Sequence, residues 1–348
     1  MSLFDYVKDR TVLITGAAGT VGSALAETLL PHVKALRCFD HSENDLFFLH
    51  RRLTAKGRVV SPQLGDIRDL DRLRFALVGV DVVYHAAALK HVALGEYNPF
   101  EVVQSNLQGL DNVIRAALDS NVERVVFTST DKAVNPTNVM GASKMMGERL
   151  IAAANEIRGL RRTKFASVRF GNVIGSRGSV VPIFMGQLLR NQPLTITDDR
   201  MTRYIMTVAE AATLVIEAGA RMAGGEIFVT KMRAVRITDL ARALAEIVGK
   251  PDTQLNTVGS RIGEKLYEEL IASYEITRTL ELDKFLVVLP QGEGLISEPA
   301  TAASYPEGKP NEREWNSSVD TLMSQSEIVS YLREHRVVDE FMLPGGSQ

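Results

Sequence analysis

The chain has 348 residues, of which 45% are hydrophobic and 24% charged, and a formal net charge of −2. That composition belongs to an ordinary globular protein, and the length allows one large or two moderate domains. The near-zero net charge excludes broad electrostatic binding to nucleic acid or to an anionic membrane, while leaving local basic residues able to hold a phosphate.

Thr11-Val12-Leu13-Ile14 is a β-rich run leading into Thr15-Gly16-Ala17-Ala18-Gly19-Thr20-Val21-Gly22, and a helical pattern from Ser23 to Leu30 follows, closed by Pro31. Strand, glycine turn and helix form the context in which such glycines bind a dinucleotide. Gly16 permits the tight turn, Gly19 lets the backbone approach a pyrophosphate, and Gly22 lets the helix pack closely on the strand. Thr20 and Val21 fall in the same turn and count as cofactor contacts. A second strand, Ala35 to Phe39, ends at Asp40. A carboxylate there accepts hydrogen bonds from the adenosine ribose hydroxyls and repels a 2′-phosphate, so NAD is expected rather than NADP, with Arg37 and His41 as neighbouring cations. The single cysteine, Cys38, lies in this apolar run. It excludes an internal disulfide, fits a reducing compartment and reads as a packed thiol.

Val59 to Leu64 reads as a third strand, followed by Gly65-Asp66-Ile67. Asp66, with Ile67 beside it, either bonds an adenine amino group or caps the helix beginning near Leu70. A fourth strand, Asp81 to Ala88, ends in small residues, so Ala86 and Ala87 let a flat cofactor pass close to the backbone. His85 is read as a packed strand-end residue. Asn106 to Leu118 has helical spacing, and Glu123 to Phe127 is a fifth strand that delivers Thr128-Ser129-Thr130-Asp131-Lys132 to its mouth. Parallel strands present their side chains to a crevice at that end. The next helix carries Met140 and Lys144 one turn apart, on a face able to look at Thr130, Asp131 and Lys132. Hydroxylated and acidic residues before a helix are also common caps.

Ala166 to Phe170 makes a sixth strand, and beyond Gly175 the organisation changes. A loop over Arg177 to Pro182 enters a helix at Ile183 to Arg190. Pro193 to Thr197 is a lone strand, Val208 to Arg221 is a helix, and Glu226 to Val229 returns to the main sheet. Thr238 to Val248 is helical, and Phe285 to Leu289 forms one more strand. Gln291 to Arg313, rich in Gly, Pro and Glu, is expected to be a long surface connection, and Trp315 to anchor the tail by packing. The alternation predicts an α/β, Rossmann-like doubly wound parallel sheet covered on both faces. No internal repeat, signal peptide, metal-ligand spacing or run approaching the roughly 20 apolar residues of a membrane span occurs, so a cytoplasmic protein without a metal is expected.

These motifs carry a resemblance. The glycine turn at 15–22, Asp66, His85-Ala86-Ala87-Ala88 and Lys144 four residues after Met140 resemble the extended short-chain dehydrogenase/reductase superfamily. Ala88-Leu89-Lys90-His91-Val92, then Glu96, Asn98 and Pro99, narrow it, as do Thr130 to Pro136, Arg169-Phe170-Gly171-Asn172-Val173 and Met201-Thr202-Arg203. Together they are similar to the UDP-N-acetylglucosamine 4,6-dehydratases of bacterial glycan biosynthesis over about residues 8–285, with Trp315-Asn316-Ser317 the main match beyond.

The resemblance implies an NAD-binding Rossmann domain over 1–173 plus about 207–235. A smaller mixed nucleotide-sugar domain with the C-terminal tail would span about 174–206 plus 236–348. It also implies a reaction in which hydride leaves sugar C4, a base takes the C5 proton, the C6 hydroxyl leaves as water, and hydride returns to C6. Asp131 would be the acid, Lys132 the C5 base, and Lys144 would bond the nicotinamide ribose. A protonated carboxyl beside a neutral amine reverses their states in water, which a desolvated site can favour. The wider superfamily has tyrosine where this chain has Met140, and methionine cannot take the C4 hydroxyl proton, although some members of the dehydratase family carry it. Thr130 or Lys132 would relay that proton instead. Lys90, Asn172, Arg177, Val180, Thr195, Arg203 and Glu264 would hold a UDP-sugar (a GDP-sugar is the lesser alternative), the arginine forks suiting its diphosphate. A homodimer or higher homo-oligomer is expected on the helices Asn106–Leu118 and Gly141–Ile157. The second carries Met145, Met146, Leu150 and Ile151, more apolar surface than one sheet contact requires. Two alternatives remain: a UDP-sugar 4-epimerase, which needs no acid for C6, and a redox-inactive nucleotide-sugar- or NAD-binding protein, which would tolerate Met140.

Overall fold

A computed structural model describes residues 3–55, 57–292 and 297–342. The first part alternates: β1 (Thr11–Thr15), α1 (Thr20–Leu29), β2 (Ala35–Asp40), α2 (Glu43–Thr54), β3 (Val60–Leu64), α3 (Leu70–Leu77) and β4 (Val82–His85). A nearly continuous helical stretch follows: α4 (Val92–Tyr97), α5 (Pro99–Val102), a π-helical turn (Val103–Gln108) and α6 (Gly109–Asp119). Then come β5 (Arg124–Thr130), a 3₁₀ turn (Asp131–Ala133), α7 (Val139–Ile157) and β6 (Lys164–Phe170). The remainder contains β7 (Asn172–Val173), α8 (Val180–Leu189), β8 (Leu194–Ile196), β9 (Thr202–Met206), α9 (Val208–Arg221), β10 (Ile227–Thr230), β11 (Arg233–Arg236) and α10 (Ile237–Ile247). It ends with β12 (Leu255–Thr257), β13 (Thr279–Glu281), β14 (Phe285–Val288), β15 (Lys309–Pro310), α11 (Gln325–Glu334) and α12 (Asp339–Met342).

The main sheet has ten strands in the order β15-β13-β14-β10-β6-β5-β4-β1-β2-β3. The alternating side chains of a strand explain why both faces are apolar. In β1, Val12 and Ile14 enter a core with α1 and α9, while Leu13 enters the opposite core with α3, α6 and α7. Pro62 sits in β3 at the sheet edge, where its missing N–H costs no ladder bond. A third core, built by α8, α10 and α11, closes the C-terminal half around β9.

The expected parallel sheet holds from β3 through to β10, but β14, β13 and β15 then add antiparallel. The supposedly lone strand at Thr195 is paired: Leu194 and Ile196 of β8 run parallel to Leu255 and Thr257 of β12, a pairing no local pattern announces. Asn106 does not begin a helix. It lies inside the π turn, where its amide accepts from Leu89 N at 2.8 Å and donates to Leu89 O at 3.0 Å, tying down the loop that follows β4. Nor is the stretch from Gln291 to Arg313 mere surface. Residues 293–296 of it lie outside the described residues, but β15 joins the sheet and Tyr305 is buried. Trp315 packs as expected, with its Nε1 donating to Asn311 at 2.9 Å and the Arg313 guanidinium 3.5 Å above its ring.

One buried network sets the position of α7. Arg169 of β6 bonds Glu148 of α7 at 2.7 Å and Glu275 at 2.9 Å, and Ser129 of β5 donates to the same Glu148 at 2.6 Å. Asn138 caps α7 by accepting from Gly141 N at 2.8 Å. The strand mouth of β5 and the first two turns of α7 are thereby held in fixed register.

Candidate active site

The turn after β1 lies where strand order reverses, between β1 and β4, the expected place for a ligand crevice. Gly16 adopts φ +65°, and a Cβ there would meet Ala87 N at 2.6 Å. A Cβ on Gly22 would come within 2.1 Å of Gly16 O, which keeps the first turn of α1 against β1. Both positions therefore require glycine, and the N-terminal N–H groups of α1 face a cleft of about 780 Å³.

Gly16, Gly19, Thr20, Val21, Gly22, Asp40, Asp66, Ile67, Ala86, Ala87, Met140 and Lys144 all line this cleft. Asp40, almost fully buried, accepts from Ala18 N at 2.9 Å and Ser42 N at 3.0 Å, so its carboxylate is fixed at the turn. Asp66 does not cap the next helix; Asp69 does, accepting from Arg72 N at 2.9 Å. Asp66 instead holds Arg68, whose guanidinium at 2.7 Å keeps its carboxyl below the usual range. His85 is a packed residue, bonded to the Thr15 hydroxyl at 2.6 Å, as the sequence indicates. Cys38 is buried too, its thiol pushed up to about 12.

Met140 and Lys144 do look toward the β5 mouth. Lys144 Nζ donates to Thr128 O at 2.7 Å and lies 4.5 Å above the Phe127 ring. Burial pushes its ammonium down to about 8, against the pull of Glu148. Met140 is 4% exposed and presents a thioether where a proton acceptor would otherwise stand.

A second cavity of about 450 Å³ adjoins the first, and Val180, Thr195, Arg203, Glu264 and Glu268 line it. Lys132 and Asn172 line both, as do His91, Val173, Gly178 and Ser179. Lys132 Nζ reaches Asp131 Oδ1 at 3.0 Å, Asn172 Oδ1 at 3.3 Å and Glu268 Oε1 at 3.1 Å. Burial alone would push this ammonium down, but the Asp131 and Glu268 carboxylates more than offset it and the net direction is up. The expectation of a neutral amine therefore fails for the resting site: two carboxylates hold the proton on Lys132.

Asp131 also departs from expectation. It is fully buried and lines neither cavity, with Oδ1 accepting from Thr130 and Lys132 and Oδ2 turned toward Gly171. Thr130 is the half-buried end of that pair, its hydroxyl donating to Asp131 at 3.0 Å from the wall of the first cleft.

The candidates for the sugar nucleotide divide. Arg177 and Lys90 are not in the second cavity. The loop before α8 folds back on the glycine turn, so Arg177 pairs with Asp45 at 3.2 Å and bonds Ala18 O at 3.2 Å, while Lys90 bonds Arg177 O at 3.0 Å. Both line the first cleft. Arg203 lines the second, but its fork is committed, to Thr202 O at 2.7 Å and Lys265 O at 2.8 Å, which leaves Nε toward Glu268 at 3.6 Å. Thr195 is clasped by Gln187, which donates to its hydroxyl at 2.8 Å. Arg261, unforeseen, stands exposed at the rim beside Glu264. Glu268 was also missed; it lies in an irregular segment far from any motif, and only its contact with Lys132 marks it.

Residues 12–290 match the family of polysaccharide biosynthesis proteins. The chain is similar to a UDP-N-acetylglucosamine 4,6-dehydratase (inverting) of Campylobacter jejuni, 39% identical over 81% of this chain and 83% of that one. It is also similar to a UDP-glucose 4-epimerase of Rickettsia canadensis, 36% identical over 82% and 85%. The X-ray structure of Pen from Bacillus thuringiensis superposes with a TM-score of 0.87 at 37% identity, covering 95% of this chain and 99% of that one.

Proposed function

The chain belongs to the family of polysaccharide biosynthesis proteins, and from that premise we propose that it is an NAD-dependent 4,6-dehydratase of a UDP-N-acetylhexosamine, UDP-N-acetylglucosamine above all. The observation that carries this reading is the junction of the two cavities at Lys132, with two carboxylates against its ammonium. Oxidation at C4 alone, as in an epimerase, requires a base for the C4 hydroxyl proton but none for C5 and no acid for C6. Dehydration requires both, because a C5 proton must be removed and the C6 hydroxyl protonated.

The residues of the first cleft fit NAD. The glycine cradle leaves space only where no Cβ intrudes, and Asp40 is oriented by Ala18 and Ser42 to take ribose hydroxyls. Bound there, the nicotinamide supplies hydride acceptance at C4 and hydride return to C6. Arg177 and Lys90 bring positive charge to the pyrophosphate side of the same cleft. Lys144 would bond the nicotinamide ribose, and its position above Phe127 adds a positive potential beside the ring.

At the sugar, Lys132 would take the C5 proton. Asp131, a carboxylate at rest, would take the C4 hydroxyl proton through the Thr130 hydroxyl as C4 is oxidised, and would return it by the same route to the C6 oxygen as water leaves. Val180, Thr195 and Glu264 line the cavity that would hold the uridine and diphosphate, with Arg261 at its rim. Arg203 would shape that cavity more than it grips phosphate, because its donors are already occupied.

The test is to incubate the purified protein with UDP-N-acetylglucosamine and identify the product by NMR. A 4-keto-6-deoxy sugar nucleotide is expected. A C4-epimerised hexosamine would favour the alternative that the Rickettsia relative raises, and an unchanged substrate would favour a binding protein. Tighter binding of NADP⁺ than NAD⁺ in a parallel titration would overturn the role of Asp40.

A further inference from the structure

We infer that Glu268 is the residue that takes the ammonium proton of Lys132 and thereby turns Lys132 into a base, an assignment that rests on the dehydratase reading. Lys132 faces a contradiction. An ammonium has three N–H donors and no lone pair, and here all three have an acceptor within reach: Asp131, Asn172 and Glu268. In that state it can remove no proton from C5. One of those acceptors must first receive a proton from it.

The Asn172 amide oxygen cannot hold a proton near neutral pH. Asp131 Oδ1 already accepts from the Thr130 hydroxyl, and its carboxyl faces neither cavity. Each carboxylate has one buried oxygen without a partner, Asp131 Oδ2 and Glu268 Oε2, but Glu268 accepts from no hydroxyl and opens on a cavity. Its Oε1 lies 3.1 Å from Lys132 Nζ. The charged groups facing it are Lys132 and Asp131 from the 3₁₀ turn, and Arg203 from β9 at 3.6 Å with Glu264 beyond. Lys265 and Glu269 pair with each other at 3.6 Å. Burial first, and the Asp131 charge with it, raises the Glu268 carboxyl above its ordinary range, although Lys132 and Arg203 oppose this.

The step balances without a co-reactant. One N–H bond of Lys132 breaks and an O–H bond forms on Glu268 Oε1, so ammonium and carboxylate become amine and carboxylic acid. The freed lone pair takes the C5 proton, and the C6 hydroxyl departs as water with the proton that the C4 hydroxyl gave up on oxidation, held meanwhile on Asp131 through Thr130. Once hydride has returned to C6, Lys132 gives that proton back to C5, and Glu268 then restores the ammonium. Glu268 acts through Lys132 and is a positioning residue for the proton.

The experiment compares wild type with Glu268→Gln, Glu268→Asp and Glu268→Ala, all holding NAD, on UDP-N-acetylglucosamine in D₂O across pH 6 to 9. NMR follows deuterium entry at C5, and absorbance follows reduced NAD. In Glu268→Gln, kcat at pH 7 is expected to fall about 100-fold with KM little changed. Its rate should then climb about tenfold per pH unit, because the Lys132 proton must now leave the sugar-bound site to solvent. Reduced NAD should accumulate, since C4 oxidation precedes the blocked step. Glu268→Asp should recover most of the rate, and added formate should partly restore Glu268→Ala. A Glu268→Gln pH profile parallel to wild type, at whatever rate, would overturn the inference. So would the absence of formate rescue in a folded Glu268→Ala, which keeps the question decidable should Glu268→Gln not fold. An inactive wild type would instead defeat the dehydratase reading, and this inference with it.

Discussion

At the scale of single residues, Met140 is the informative departure. It is buried against the cleft, and its own carbonyl accepts from Ser143 at 2.7 Å, so the side chain is an apolar wall held in place by α7. Thioethers fill such roles readily. Met140→Leu should therefore retain activity within about tenfold, or ~1.4 kcal/mol of barrier. A loss of several orders of magnitude with NAD binding intact would show that the sulfur does more. His85 gives a pH prediction. Burial first, then the Lys144 charge, pushes its imidazole down to about 3. The unfolded chain takes up that proton near pH 6.5, whereas the folded chain resists until about pH 3. The stability owed to neutral His85 is thus complete above the unfolded pKa and lost as pH falls through this window, by about 1.4 kcal/mol per unit. His85→Gln, which can keep the Thr15 bond without titrating, should show a shallower loss. Urea midpoints for both proteins at pH 7, 5 and 4 check this.

At the scale of elements, the site depends on α7 standing where it does. Its first two turns carry Met140 and Lys144, and the anchor lies one turn further on, at Glu148. Glu148 and Glu275 enclose the Arg169 guanidinium, all three nearly excluded from water. Removing one member of such a group leaves a buried charge uncompensated, a cost of about 3–5 kcal/mol. Glu148→Ala is therefore expected to lower the denaturant midpoint sharply and to weaken NAD binding through Lys144. A near-wild-type midpoint would mean that water replaces the carboxylate. None of this was legible locally. Arg169 reads as one polar residue in an apolar strand, and its partners lie on two other elements, one of them far along the chain.

At the scale of the whole molecule, helix α7 and the segment of α5 and the π turn leave apolar surface uncovered, whereas α6 exposes no large hydrophobic. Met146 is 46% exposed and Ile157 61%, and the neighbouring segment adds Phe100 at 81% and Val103 at 48%. Ile151, expected on the same surface, is buried in the sheet core. Exposed apolar side chains on neighbouring elements suit an interaction surface. We propose a homodimer there. Light scattering should report at least a dimer at micromolar concentration, and Met146→Asp with Phe100→Asp should yield monomers; a wild-type monomer would refute it. Among the described residues no helix is long and apolar enough to cross a membrane, and no cluster of His, Cys, Asp or Glu could hold a metal ion.

The sequence by itself determined the doubly wound core and the cofactor end of the cleft. Glycine spacing, period-2 apolar runs and the residues at strand ends are local constraints, imposed by backbone geometry within a few positions, so Gly16, Gly22, Asp40, Met140 and Lys144 could be placed by reading along the chain. Tertiary structure alone decided which charges meet. Glu268 reaches Lys132 from a segment without motif or periodicity, Arg177 turns to the glycine turn and the first cleft rather than the second cavity, and β12 supplies the partner of β8. Such pairings depend on distances between segments remote in sequence, and the energy of a buried charge is set by its surroundings. The protonation state of Lys132, on which the proposed chemistry turns, therefore lay beyond any reading of the chain in order.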